Sequence, residues 1–342
     1  MTFIRNLPGP LLIFLGALSL SFGGLIVKSF EGATLWQILF WRSLFFSLTV
    51  LAFLIISYKR ETLVSFYKSG LPGFIGGIIL SFGFCGYVFA MYNTTVANTN
   101  FIISLQILFL AIFGYFFLKE KISLITLFSI ILAMTGVLLM VGNSLSPGEL
   151  SGNLAAFTMP ITFAVLIMIV RKFPSVDMVP AQFVAGVSSC LIGFLLSTKI
   201  MISPHDIFLG FLAGFFQVGF GFIFITIGAR TTPSAMVGII MLSESVLGPI
   251  WAFLFVSERP SMFGLIGGAI ILFAVLLQFY SLLSKPKKTK DKSKAVDSET
   301  VQQHDNTVSL NAETAANLFE DLGYHSFLKL FRHHFVLDYF LC

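Results

Sequence analysis

Residues 94–123 read TTVANTNFIISLQILFLAIFGYFFLKEKIS, and residues 232–261 read TPSAMVGIIMLSESVLGPIWAFLFVSERPS in the same pattern. Each stretch begins with Thr-x-x-Ala, continues as an apolar run and closes on Glu-x-x-Ser. The match extends without a gap to residues 140 and 278, and 11 of its 47 pairs are identical. Two copies of one pattern at a constant offset of 138 residues predict a chain built from two similar halves.

The composition is typical of a membrane protein. Of the 342 residues, 56% are hydrophobic and 11% are charged, whereas soluble domains carry about 25% charged residues. A mean hydropathy of +0.93 therefore excludes an ordinary cytosolic enzyme, a nucleic-acid-binding domain and a secreted disulfide scaffold. The net charge of +5 arises largely from lysines near the C-terminus, and the three cysteines form no metal or disulfide motif.

Apolar runs of about 20 residues predict ten membrane-spanning helices. They cover residues 10–27, 35–57, 71–91, 98–118, 124–142, 152–170, 180–198, 207–228, 235–256 and 262–283. Each half holds five, an odd number, so the second half must enter the membrane in the opposite sense. The predicted fold is an all-α integral membrane protein of ten transmembrane helices, arranged as two inverted five-helix repeats at 10–142 and 152–283. Inverted repeats are the architecture of secondary transporters.

The distribution of Lys and Arg predicts the orientation. Nine basic residues fall in the loops on the side of the N-terminus and three fall in the loops on the other side. By the positive-inside rule, the N-terminal residues 1–9 and the tail 284–342 are cytoplasmic, in a protein of the cytoplasmic (inner) membrane. The tail is predicted to be largely disordered. Its more apolar end is either weakly structured or an amphipathic helix on the inner membrane face.

Five short motifs resemble the EamA-type repeat of the drug/metabolite transporter superfamily. They are WR at 41–42, ANTN at 97–100, LKEKIS at 118–123, LSES at 242–245 and SERPS at 257–261. The resemblance covers residues 10–283. In that family the ninth span usually carries Glu-Pro, whereas this chain has Ser245 in place of the proline and a proline at Pro249. The resemblance implies ten helices in two repeats and movement of small metabolites without ATP.

Ionisable residues inside the bilayer are costly, and they are therefore candidates for function. Fifteen of the 16 acidic residues lie in loops, at span ends or in the tail, and the exception is Glu244, near the centre of the ninth span. Glu244 can bind a cationic group of a solute, take up and release a proton, or anchor the helix packing. Arg42 lies within the second span. It either contacts the solute or extends its charge to the outer membrane interface.

Uncharged polar residues complete the candidate site: Gln106, Gln217, Tyr87, Asn100 and Ser243. Gln106 is the repeat counterpart of Glu244, so the two are expected at matching depth on opposite walls of a chamber. Ser243 directly precedes Glu244 in LSES. For each of these residues the alternative is a hydrogen bond between packed helices.

The sequence thus predicts a secondary active transporter for a small organic metabolite, such as an amino acid or an amine, that works by alternating access. Proton coupling and exchange both stay open. The alternative is a structural or channel-like membrane protein in which Glu244 is only a packing anchor. No HExxH, GxSxG or GxxxxGK[ST] motif occurs, so neither an enzyme nor ATP use is expected. The predicted partners are a small solute, the lipid bilayer and H⁺, with no cofactor, no metal and no nucleic acid, in a monomer or homodimer.

Overall fold

The structure, a computed structural model, describes residues 7–119, 124–142, 147–232 and 234–283. Within these ranges the chain is helical and contains no β-strand. The predictions for residues 1–6, for the Glu120–Ser123 turn and for the tail 284–342 lie outside the described residues.

Fourteen α-helices occur in these ranges. They are α1 Gly9–Ser21, α2 Gly23–Lys28, α3 Leu35–Tyr58, α4 Thr62–Asn93, α5 Val96–Ser104, α6 Gln106–Leu118, α7 Leu124–Gly142, α8 Pro147–Ala156, α9 Thr158–Lys172, α10 Val179–Leu196, α11 Pro204–Phe211, α12 Gly221–Ala229, α13 Ser234–Val256 and α14 Met262–Leu283. A π-helical segment, Leu212–Phe220, joins α11 to α12.

Seven helical stretches among the described residues are long and apolar enough to cross a membrane. One of them, Leu35–Asn93, contains both α3 and α4, and two shorter apolar helices occur at Leu127–Leu139 and Met262–Ala274. Large apolar side chains are exposed along these helices, including Phe116 and Leu195. Extensive exposed apolar surface indicates contact with lipid. The predicted class, an all-α multi-pass membrane protein, is confirmed.

Several predicted spans are interrupted rather than continuous. The helix breaks at Phe22, Leu105 and Phe157 divide the first, fourth and sixth spans. Pro160 explains the last break, because a proline has no N–H to donate to the carbonyl of Ala156, four residues earlier. The third span also differs from its prediction, because α4 begins at Thr62 and bends at Gly70, which has a positive φ of 53°. Such interruptions leave backbone groups free to line a cavity inside a membrane protein.

The helices group into two bundles. In bundle one, the pair α1–α2 packs against α12, α13 and the π-helical segment; in bundle two, α9 packs against α4 and α6, and α8 packs against α4. Two further pairs, α3 with α10 and α7 with α14, make the most extensive helix contacts. The bundles meet where α13 lies against α5 and α6.

Glycines bring helices into close contact at several of these interfaces. A Cβ at Gly77 would lie 2.5 Å from the carbonyl oxygen of Ala181, and one at Gly214 would lie 2.6 Å from the Cβ of Phe45. A Cβ at Gly268 would overlap the ring of Phe101. These glycines therefore pack helices of the same chain against each other, as small residues do at helix interfaces in membrane proteins.

Candidate functional site

Arg42 lies inside the protein and not at its surface. Its side chain projects from α3, only 2% of the residue is exposed, and its Nε has no hydrogen-bond partner among the described residues. The guanidinium carbon lies 4.9 Å from the ring centre of Tyr87 and 5.3 Å from that of Phe84, both on α4. Cation–π contacts of this kind compensate part of the lost hydration. The expectation that Arg42 extends to the membrane interface is therefore wrong.

Glu244 is a second ionisable residue that is buried among the helices. It lies near the middle of α13, is 4% exposed, and within the described part of the chain makes neither a hydrogen bond nor an ion pair. The guanidinium of Arg42 attracts its carboxylate, and Tyr87 also lies within electrostatic range of it. An ionisable group that is buried without a direct partner is costly. Glu244 is therefore a candidate to bind a group that does not belong to the chain.

Gln217 and Tyr87 meet beside Gly23. Gln217 lies in the π-helical segment, where its Nε2 donates to the carbonyl oxygen of Leu20 at 3.2 Å and its Oε1 has no partner among the described residues. A Cβ on Gly23 would overlap the Tyr87 hydroxyl and would lie 2.6 Å from the Gln217 Nε2. Gly23 and Gln217 belong to bundle one and Tyr87 to bundle two. The polar groups therefore converge where the bundles face each other.

The remaining predicted residues are placed differently. Gln106 begins α6 directly after the helix break, and its buried Nε2 has no partner in the described ranges. Asn100 lies on α5, and its Nδ2 approaches Gly248 of α13 so closely that no Cβ would fit there. Ser243 donates to the carbonyl oxygen of Ile240 in its own helix at 2.7 Å. Arg42, Tyr87, Gln217 and Glu244 thus form one group. The placement of Gln106 and Glu244 at matching depth on opposite walls stays a prediction.

An aromatic pair that the sequence did not single out lies between α1 and α13. The rings of Phe22 and Trp251 stack with centres 5.1 Å apart and planes 8° from parallel. Trp251 Nε1 donates to Ser21 Oγ at 3.1 Å. Because Phe22 occupies the break between α1 and α2, the stack fixes this interruption against α13. Among 41 phenylalanines, no local pattern distinguishes Phe22.

Glu258 lies in the connection between α13 and α14 and contacts the start of α5. Its Oε1 accepts a hydrogen bond from the backbone N–H of Val96, the first residue of α5, at 2.6 Å. Its Oε2 lies 3.8 Å from Lys28 Nζ, which itself donates to the carbonyl oxygen of Thr94 at 2.9 Å. A carboxylate is favourable at a helix N-terminus, where backbone N–H groups are unpaired. We name Lys28, Glu258, Thr94 and Val96 the end clasp.

The fold and the buried polar group define a class: a multi-pass helical membrane protein with charged and amide side chains where two bundles meet. The chain belongs to the EamA-like transporter family, whose model matches it twice, at residues 7–142 and 146–280. The resemblance indicated by the short motifs is confirmed.

Two further comparisons concern a protein of similar sequence and a solved structure of similar fold. An uncharacterized transporter of Methanothermobacter thermautotrophicus is 27% identical to this chain over 207 residues. The match covers 55% of this chain and 58% of the relative, so this chain spans less than two thirds of that protein. A solved crystal structure of a protein aligns with a TM-score of 0.62 at 19% identity, over 80% of this chain and 98% of the other. At that identity the likeness concerns the fold alone.

Proposed function

We propose that this protein is a secondary active transporter that moves a small organic solute between its two helix bundles by alternating access. The observation that carries the proposal is the incomplete pairing of two buried charges, Arg42 and Glu244, in one polar group. A group that only stabilised packing would be expected to satisfy its members internally, because unpaired buried charges are costly. Membership of a transporter family favours transport over catalysis.

The proposal includes ten membrane spans in two inverted five-helix repeats, at 10–142 and 152–283, with both termini cytoplasmic. Its support is the symmetry of helix packing. The pair α1–α2 packs on α12 and α13, and its repeat counterpart α8–α9 packs on the corresponding helices α4 and α6. Likewise α3 packs on its own counterpart α10, and α7 packs on its counterpart α14. The distribution of basic residues supports the orientation.

The two charges indicate the chemistry of the solute. Arg42 attracts a carboxylate and Glu244 attracts an ammonium group, so a zwitterion such as an amino acid would engage both. An amine would engage Glu244 alone and would leave the guanidinium without a partner. Gln217 Oε1 and Gln106 Nε2 add an acceptor and a donor for uncharged parts of the solute. Glu244 is also the group through which H⁺ would be coupled.

Alternating access requires contacts that close one end of the chamber and then break. The end clasp provides such contacts, since Lys28 of α2 and Glu258, which follows α13, hold Thr94 and Val96 at the start of α5. The contacts are two hydrogen bonds to backbone atoms and one charge pair at 3.8 Å between half-buried side chains, and water can take the place of each when this end opens.

Transport is tested with purified protein in two stages. A thermal-shift screen of amino acids, amines, nucleosides and sugars selects solutes, and ¹⁴C-labelled hits are then measured for uptake into proteoliposomes. We expect at least one zwitterionic amino acid to raise the melting temperature and to accumulate above the level in protein-free liposomes. Failure of every class to accumulate, with folded protein in sealed vesicles, would contradict the proposal. If only uncharged solutes accumulate, the role assigned to Arg42 and Glu244 is wrong.

A further inference from the structure

A polar cavity lies near the end of α3, well away from the buried polar group. It has a volume of about 330 Å³, and its lining includes Tyr58, Ser65, Lys68, Ser175, Asp177 and Arg230. These residues come from the end of α3, the beginning of α4, the connection between α9 and α10, and the end of α12. No residue of the end clasp or of the Arg42 group lines it.

The cavity carries an excess of positive charge. Lys68 and Arg230 supply two cations, and Asp177 supplies the single carboxylate of the lining. That carboxylate already accepts two hydrogen bonds, from the Tyr58 hydroxyl at 2.5 Å and from the Val179 N–H at 3.0 Å. These bonds use about half of the roughly four acceptor sites of the carboxylate within the protein. A negatively charged ligand would meet the two cations and the hydroxyl of Ser175.

An apolar cavity adjoins the polar one. It has a volume of about 260 Å³ and is lined mainly by Leu7, Leu12, Pro174 and Ile227. Arg230 lines both cavities, and Pro174 of the apolar cavity is followed in the chain by Ser175 of the polar one. Arg230 is held at this boundary, because its Nε and Nη2 both donate to the carbonyl oxygen of Pro174, at 3.0 and 2.9 Å. The two cavities therefore form a continuous cationic and apolar surface.

We propose that this pair of cavities binds an anionic phospholipid, with the headgroup phosphate between Lys68 and Arg230 and the apolar part of the lipid against Leu7 and Pro174. A ligand that is anionic at one end and apolar at the other matches both linings at once, which a free phosphate does not. Basic pockets between membrane helices bind anionic lipid headgroups. Lys59 and Arg60, in the connection just before α4, add further positive charge on the same stretch of chain. The inference requires a bilayer around the helices and is independent of solute transport.

The test compares two lipids of equal chain length on the full-length protein in detergent. Dioleoylphosphatidylglycerol is anionic and dioleoylphosphatidylcholine is not, so the difference between their effects on thermal stability isolates headgroup charge. We expect phosphatidylglycerol to stabilise the wild-type protein more than phosphatidylcholine. Lys68→Gln is expected to weaken phosphatidylglycerol binding about fivefold, because each basic residue near an anionic membrane surface contributes a factor of that order.

Two controls separate lipid binding from general effects. Lys199→Gln removes an exposed lysine outside the cavity and should leave the preference for phosphatidylglycerol unchanged, whereas Lys68→Arg keeps the charge and should retain it. Arg230→Gln can also loosen the Pro174 contact, so only the difference between the two lipids is compared within each variant.

Equal stabilisation of the wild type by both lipids would overturn the proposal, as would full retention of the preference in Lys68→Gln. Stabilisation by inorganic phosphate alone, equal to that by phosphatidylglycerol, would show a phosphate site and overturn the assignment to a lipid.

Discussion

The guanidinium carbon of Arg42 lies 4.9 Å from the centre of the Tyr87 ring, a contact that joins α3 to α4. The aromatic face attracts the cation without forming a hydrogen bond to its N–H groups. Nε, at least, has no acceptor among the described residues. The charge is thus held in place by contacts that leave a donor for a solute carboxylate, which is the basis of the first prediction.

Arg42→Met is expected to leave the melting temperature equal to that of the wild type or higher. A charge that is buried without a full set of hydrogen-bond partners is costly, so an apolar side chain of similar length removes that cost. Uptake of the selected solute should nevertheless fall by about tenfold or more, equivalent to about 1.4 kcal/mol of lost interaction. Melting curves and initial uptake rates check both parts. A variant that melts earlier and still transports normally would show that Arg42 is structural.

Glu244→Gln is expected to remove any dependence of uptake on a pH gradient. The amide keeps the size of the side chain but cannot bind or release a proton in the relevant range. Uptake is measured with and without an imposed gradient in the same liposomes. The matched control is Ser243→Ala on the neighbouring position, whose hydroxyl is bonded within its own helix, and its pH response should equal that of the wild type. A persistent gradient response in Glu244→Gln would assign proton coupling to another group.

Gly23→Ala is expected to weaken solute binding by displacing the Tyr87 hydroxyl, which a Cβ on residue 23 would overlap. Crowding a packed site typically costs about 1–3 kcal/mol. The double variant Gly23→Ala with Tyr87→Phe removes the overlapping oxygen and should recover part of the lost affinity relative to Gly23→Ala alone. Binding is measured as the solute concentration that half-saturates uptake. Purely additive losses in the double variant would argue against this contact.

Glu258→Gln is expected to open the end of the chamber that the end clasp closes. The change removes the negative charge that pairs with Lys28 and that favours the N-terminus of α5, and such a charge at a helix N-terminus contributes about 0.3–1 kcal/mol. In a background with all cysteines replaced by serine, Gln217→Cys is labelled by a membrane-impermeant thiosulfonate applied from the Lys28 side. The labelling should be faster with Glu258→Gln than with Glu258 in place. An unchanged rate would mean that the end clasp only stabilises α5.

Much of the fold was predictable because it follows from hydropathy. Runs of apolar residues located the helices, whereas contacts such as that of Gly214 with Phe45 depend on how the helices pack. The helix breaks were harder to predict. Of the three, only the break at Phe157 has a helix-disrupting residue beside it in the sequence, which is Pro160. Phe22 and Leu105 are ordinary apolar residues, and tertiary packing sets their conformation.

The candidate site was predictable where burial of charge is unusual. Glu244 and Arg42 stood out because charges are rare within the apolar runs, yet hydropathy could not give the direction in which Arg42 points. Its aromatic partner Phe84 is one of 41 phenylalanines, and no pattern separates it from residues that contact lipid. Glu258 was visible as part of a repeated turn, but its bond to Val96 spans 162 residues and depends on how the bundles meet.

The most direct test of the central claim is the accessibility of residue 217 from each side of the membrane. In the background without cysteines, Gln217→Cys is labelled by a membrane-impermeant thiosulfonate applied to one side or the other of oriented vesicles. Ser189→Cys, fully buried between α3 and α10, is the matched control and should stay unlabelled. Alternating access predicts that residue 217 reacts from both sides in turn. Reaction from one side only, or from neither, would contradict the account.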